Sequence, residues 1–252
     1  MMISTSSSRK YKAAAIVFWI AIWWIASIMI GEDLFLPSPF SVAERLAALV
    51  QESQFWTSAA FTLSRILIGF LLSLAAALAA AYLSSSFVWF RILMDPLVRI
   101  VRATPVASIV ILALVWVSSR NLSALISALM VFPIVYTNVL KGIDETPKEL
   151  IEMADAYHVR LMKRLRYIYI PSVLPYFLSS LSIALGLAWK SGIAAEVIGL
   201  PDGSIGERVY EAKIYLSTPD LFAWTVTIVI LAFLFERLFL LLSSKLAGRL
   251  MR

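Results

Sequence analysis

The feature that most constrains this chain is a series of long apolar stretches, each nearly free of charge. They run from about Ala13 to Ile30, Ala59 to Leu83, Leu97 to Val117, Leu122 to Leu140, Val173 to Trp189 and Leu221 to Leu242. Runs of about 18–25 apolar residues match the thickness of a bilayer crossed as a helix. A membrane barrel would instead show short segments of alternating hydrophobicity. The composition agrees: 61% of the residues are hydrophobic and 15% charged, against roughly half and a quarter in a soluble domain. The expectation is an all-α, polytopic membrane protein with six transmembrane helices, forming one domain over residues 1–252. The first run is read as a retained span. It exceeds a signal-peptide core, and no small-residue cleavage site follows it cleanly.

The inventory of reactive side chains is thin. There is no cysteine and a single histidine, which excludes disulfides, thiolate metal sites, cysteine nucleophiles and His-rich metal or proton-relay sites. No Gly-x-x-x-x-Gly-Lys-Ser/Thr loop is present, so no nucleotide cofactor is expected in this chain. No catalytic or metal-binding residues are assigned. The net charge of +6 is attributed to membrane topology rather than to nucleic acid. With the N-terminus inside, only Arg45, Arg120, Arg208 and Lys213 fall outside. Every other Lys and Arg, apart from Arg65 and Lys190 near span ends, falls in cytoplasmic segments. That asymmetry places both termini in the cytoplasm.

Between the spans, Leu36-Pro-Ser-Pro39 breaks any helix, and Ser41-Val-Ala-Glu44 has the form of a capping box for a short helix over about 42–50. Residues 84–96 read as a short loop, and Pro105 as a kink early in the third span. Residues 190–219 read as a long polar connection. In the first span Trp19 is assigned to packing against neighbours. Arg65 either snorkels to the interface or is buried for function.

The largest cytoplasmic segment lies between the fourth and fifth spans. Thr146 is placed as a cap, Pro147 at the first helical position and Glu149 as the reciprocal partner of a capping box. The helix that follows has two apolar stripes, Ile151/Ala154/His158 and Leu150/Met153/Tyr157/Leu161, which need a surface to cover them. The segment then turns basic, with Arg160, Lys163, Arg164 and Arg166, and is expected to end at Pro171.

Glu152-Met153-Ala154, position 158, Ile168 and Ile170-Pro171 resemble the signature loop of permease subunits of binding-protein-dependent ABC importers. Met153 and Ile170 depart mildly from that pattern, and His158 stands where the family has glycine. Leu36 to Pro39, Thr62 to Arg65 with Gly69-Phe70, Asp95-Pro96, Arg102 to Pro105, Ala194-Ala195-Glu196 with Gly199, and Glu236-Arg237 resemble the nitrate, taurine and aliphatic-sulfonate branch. The resemblance implies a type I importer permease fold in a bacterial inner membrane and no enzymatic activity in this chain. It implies a docking loop over about 143–171, in which Glu152, Met153, Ala154, Asp155, Ala156, Tyr157, His158 and Val159 meet a cytoplasmic ATP-binding subunit. Two copies of that subunit would hold ATP and Mg. Further implied partners are an extracytoplasmic substrate-binding protein, a second permease copy and membrane lipid. His158 either turns the chain in left-handed geometry or continues the helix.

Intramembrane polar residues are the candidates for the solute path. Arg102 and Lys190 suit an anionic solute or else snorkel to interfaces. Thr104, Tyr136 and Asn138 either line the path or make helix–helix hydrogen bonds, and Glu196 either gates the path or caps a helix. Ser179, Ser180, Ser182 and Gly186 form a small-residue face suited to packing a second copy. Two other readings are a self-sufficient secondary transporter, which lacks the expected paired broken helices here, and a membrane-embedded enzyme, which lacks clustered acid, base and nucleophile.

Overall fold

The computed structural model describes residues 5–250; Met1 to Ser4 and the tail cation Arg252 lie outside the described residues. Every regular element among them is helical: α1 (Thr5–Ile30), α2 (Pro39–Gln51), α3 (Ser53–Ser86), α4 (Val88–Ala103), α5 (Val106–Ala113), α6 (Ser119–Asp144), α7 (Lys148–Ala156), α8 (Leu161–Arg164), a π-helical turn (Leu165–Tyr169), α9 (Ile170–Gly199), α10 (Ile205–Ile214) and α11 (Thr218–Leu250). Four continuous helical segments are long and apolar enough to cross a membrane: Ser53–Ser86, Ser119–Asp144, Leu161–Gly199 and Thr218–Ser243. The pair α4 and α5 qualifies only as one bent span, and Ala14–Ile30 is a shorter apolar helix.

The core is α6 packed between α3 and α9, and small residues bring the three backbones together. A Cβ on Gly69 of α3 would lie 2.2 Å from the Ala124 carbonyl oxygen of α6. A Cβ on Gly192 of α9 would lie 2.6 Å from Ile66 and 2.7 Å from the Ser127 hydroxyl. Ser73 donates to the Ala128 carbonyl at 2.8 Å and Ser127 to the Ala188 carbonyl at 2.9 Å, linking α3 to α6 and α6 to α9. Close approach and interhelical hydrogen bonds replace the hydrophobic drive that lipid does not supply. Of the alanine-rich stretch of α3, Ala77, Ala80 and Ala81 face this core.

Several expectations are corrected. Residues 84–96 are not a loop: α3 runs to Ser86, only Phe87 is extended, and α4 starts at Val88. Phe90, Met94 and Val98 pack against the core, while Arg91, Asp95, Arg99 and Arg102 form the neighbouring stripe at helical spacing. Pro105 does not kink the third span but breaks it. Thr104 is extended, as a residue before proline tends to be, and α5 leaves α4 at 105°. The cap of α2 is Ser38, whose hydroxyl accepts from Ser41 N–H at 3.1 Å, with Pro39 in the first turn. Trp19 is 67% exposed, and Trp23 is the packed residue, donating to the Pro37 carbonyl and stacking on Phe222.

Pro171 closes the basic segment without interrupting the helix. Helix continues from Leu161 to Gly199, with the π-turn immediately ahead of the proline. That widened turn contains Tyr167, whose carbonyl the Pro171 ring would strike in a regular α-helix. Residues 190–219 are mostly helical, with breaks at 200–204 and 215–217. Left-handed Leu200 (φ 46°) and Leu216 (φ 54°) sit at the two breaks.

Candidate coupling loop and mid-span polar residues

The loop between α6 and α9 is built differently from the expected capping box. Pro147 is the residue preceding the helix, and buried Thr146 donates back to the Gly142 carbonyl at 3.3 Å. Glu149 lies in the first turn of α7, where the helix dipole favours a carboxylate.

The other end of α7 settles the choice for His158. Its φ is +47°, so the chain turns. His158 N–H donates to the Asp155 carbonyl at 3.0 Å and Val159 N–H to the Ala154 carbonyl at 2.9 Å. This is the bond pair of a Schellman cap, whose left-handed position is usually glycine. Histidine accepts that geometry at a cost of about 1–2 kcal/mol.

Sequence reasoning missed Arg164. From the end of α8 its Nε donates to the Val159 carbonyl at 2.7 Å and its Nη2 to the Ala154 carbonyl at 3.0 Å, while Nη1 pairs with the Asp155 carboxylate. The one sequence signal was a cation shortly after a helix C-terminus, where orphan carbonyls await donors.

The two stripes of α7 have different fates. Ala154 is buried, and Ile151 lines a groove of ≈ 680 Å³ between the loop and the ends of α3, α6 and α9. Leu150, Met153, Tyr157, Leu161 and Met162 are all exposed, Tyr157 at 79% and Met162 at 75%. Glu152, Asp155, Ala156 and His158 are exposed around them, and Val159 is half-buried.

The mid-span candidates do not form one constellation. Arg102, at the end of α4, donates through Nη2 to the Pro133 carbonyl at 3.0 Å and to the Thr137 hydroxyl at 2.6 Å. Pro133 lies near the middle of α6, so Arg102 is anchored well inside the span. Asn138 bonds back to the Ile134 carbonyl at 2.8 Å, and Thr104 to the Ile100 carbonyl at 2.8 Å. Tyr136 is buried and shares a 2.8 Å hydrogen bond with Ser84, which joins α6 to α3. Arg65 bonds Asn121 Oδ1 at 3.0 Å. Lys190 is exposed on α9. Of the small-residue face, Ser180 is buried, while Ser179 and Ser182 are exposed.

Glu196 is fully buried elsewhere. Thr62 of α3 donates to its Oε2 at 2.8 Å, as does Gly206 N–H in the first turn of α10 at 3.3 Å, and Thr62 itself accepts from Ile205 N–H at 3.0 Å. A Cβ on Gly206 would lie 2.3 Å from the Glu196 Cβ. The geometry is that of a cap on α10 shared with α3.

The family model described as "Binding-protein-dependent transport system inner membrane component" matches residues 69–248. The taurine transport system permease protein TauC of Escherichia coli (strain K12) is 26% identical over 224 residues, covering 86% of this chain and 81% of the relative. A probable ABC transporter permease protein of Brucella melitensis is 30% identical, covering 81% and 82%. The nitrate import permease protein NrtB of Synechococcus elongatus is 27% identical, covering 77% and 72%. Among solved structures, a chain of a bacterial ABC transporter involved in the import of the acidic polysaccharide alginate superposes with a TM-score of 0.58 at 17% identity, covering 97% of this chain and 98% of that one. The helical bundle, the loop between α6 and α9 and these matches lead to one conclusion: the chain belongs to the binding-protein-dependent transport system inner membrane components, the permease subunits of ABC importers.

Proposed function

We propose that the chain, paired with a second permease copy as a homodimer, lines the path of a small anionic solute. The exposed face of α7 and α8 docks a separate cytoplasmic ATP-binding subunit, two of which serve the assembly and hold the ATP and Mg. An extracytoplasmic binding protein delivers the solute. The whole of residues 1–252 forms one permease domain in the inner membrane. It crosses six times, with α1 as the first span and the bent α4–α5 pair as the third, and both termini lie in the cytoplasm.

The observation that carries the docking assignment is the outward stripe of Leu150, Met153, Tyr157, Leu161 and Met162. A short, otherwise charged helix gains from covering such a stripe with a partner. Co-purification of the ATPase subunit tests it. Met153→Asp and Glu152→Lys should each reduce recovery of that subunit about tenfold or more, as loss of a contact near the centre of an interface does. Uptake by the lone permease in liposomes without ATP would overturn the assignment.

Arg102 supports the anionic path. The guanidinium is held against the middle of α6 by the Pro133 carbonyl and Thr137 and stays exposed. Such intramembrane cations generally serve a function. Lys190 adds a second exposed cation on α9. Uptake of taurine, an alkanesulfonate and nitrate by the assembled importer should fall about tenfold or more in Arg102→Ala, with ATPase co-purification retained. Thr104 and Asn138 bond back to their own helices and Glu196 bonds Thr62 and Gly206, so their side chains are engaged within the fold.

A further inference from the structure

We propose that Arg164 is the positioning residue that makes the docking helix and the long α9 segment move as one body. The inference rests on the docking assignment above and concerns how force leaves the docked helix. A movement imposed on α7 reaches the spans in two directions. Toward α6 it passes Glu145, Thr146 and Pro147, a non-helical link with no side-chain bond to α7. Toward α9 it passes the non-helical link from Tyr157 to Arg160, which includes the left-handed turn at His158.

Arg164 spans that turn. One guanidinium holds the Ala154 carbonyl and the Asp155 carboxylate on the α7 side and the Val159 carbonyl beyond the turn. Among the described residues, every side-chain hydrogen bond reaching α7 from another element comes from Arg164. The residue itself stands on α8, which continues without interruption through the π-turn into α9. Its side chain is 23% exposed, so two of its bonds to neutral carbonyls are partly shielded from competing water. Only arginine carries a planar fork able to hold three acceptors in fixed directions; lysine is a single point charge. The position thus braces the angle between α7 and α9, because the Schellman bonds close the turn at His158 but do not reach past Val159 to α8.

Because the chain has no cysteine, Ile183→Cys, on an exposed position of α9, gives a single reporter. Its alkylation by a soluble maleimide is compared in the assembled importer without nucleotide and trapped with Mg-ATP and vanadate. The expected result is a nucleotide-dependent change in rate that shrinks about tenfold in Arg164→Ala, since three charge-assisted bonds are lost together. Arg164→Lys should restore part of the change. Asp155→Asn should keep most of it, because the two carbonyl bonds survive. Co-purification of the ATPase subunit should be unchanged in the two Arg164 variants.

A full nucleotide response in Arg164→Ala would overturn the proposal. So would an equal loss in Arg164→Ala and Arg164→Lys accompanied by loss of the ATPase subunit, which would mean that the residue only maintains the docking face. Failure of the unsubstituted chain to hold any ATPase subunit would instead overturn the docking assignment itself.

Discussion

At the residue scale the fold depends on a few positions where one atom decides the backbone. His158 is one. The left-handed turn costs a histidine about 1–2 kcal/mol, and glycine removes that term while adding unfolded-state entropy. His158→Gly should therefore strengthen the α7 cap by about 1 kcal/mol or less, read as slower exchange of the Val159 amide. His158→Val should weaken it, since a β-branched residue is a poor fit at positive φ. Equal exchange in all three chains would show that the turn is held by its surroundings alone. Gly69 is another. Its missing Cβ lets α3 meet the Ala124 carbonyl of α6, and a backbone atom is not a neighbour that swings aside. Gly69→Leu should destabilise the α3–α6 pair by about 3 kcal/mol or more, seen as lower thermal stability in detergent and loss of folded protein from the membrane fraction.

The His158 turn was half legible in the sequence. The family spacing marked the position, and histidine's tolerance of left-handed geometry allowed the turn without requiring it. Arg164 was not legible, because its role depends on a side chain reaching back across a turn whose shape the sequence left open. Glu196 was visible as a polar residue in the connection after the fifth span that either gates the path or caps a helix. What could not be seen was that Thr62, far away in sequence, and the α10 backbone would meet it.

At the element scale the apolar runs gave the long helices, and the errors fell where polar residues were taken as evidence of loop. Ser191 and Glu196 sit within α9, which runs to Gly199, because both find partners: Ser191 bonds the Leu187 carbonyl of its own helix at 2.8 Å, and Glu196 bonds Thr62 of α3. Residues 84–96 failed for a related reason: Asp95-Pro96 reads as a break, yet Pro96 lies within α4. The buried Glu196 cap carries a prediction of its own. Glu196→Ala removes the acceptor of the Gly206 N–H and of Thr62, leaving buried donors unpaired, at a cost of about 1–3 kcal/mol. Glu196→Gln keeps a carbonyl acceptor and should recover most of that loss. The measurement is the unfolding temperature of the purified chain in one detergent; identical values for the two variants would exclude the cap as a stabilising contact.

At the scale of the whole molecule, α1 and α11 leave large apolar side chains uncovered, among them Trp19, Ile28, Phe233 and Leu238. Lipid tails and protein partners both suit such surfaces, so their exposure does not orient the chain; the cations do. In the proposed topology the loop with Arg160, Lys163, Arg164 and Arg166 lies in the cytoplasm and the α10–α11 connection, at the opposite end of α9, lies outside. Two exposed tyrosines mark the two ends, Tyr157 at 79% and Tyr215 at 80%. In a chain without cysteine, Tyr157→Cys and Tyr215→Cys are single reporters for a membrane-impermeant maleimide. In intact cells with a permeabilised outer membrane, Tyr215→Cys should react and Tyr157→Cys should stay unlabelled until the inner membrane is opened. The reverse pattern would invert the assigned topology and remove the docking loop from the compartment that holds ATP. Labelling of both in intact cells would mean that an odd number of crossings separates neither end of α9 from the outside, which a 39-residue apolar helix from Leu161 to Gly199 makes physically untenable in a bilayer about 30 Å thick.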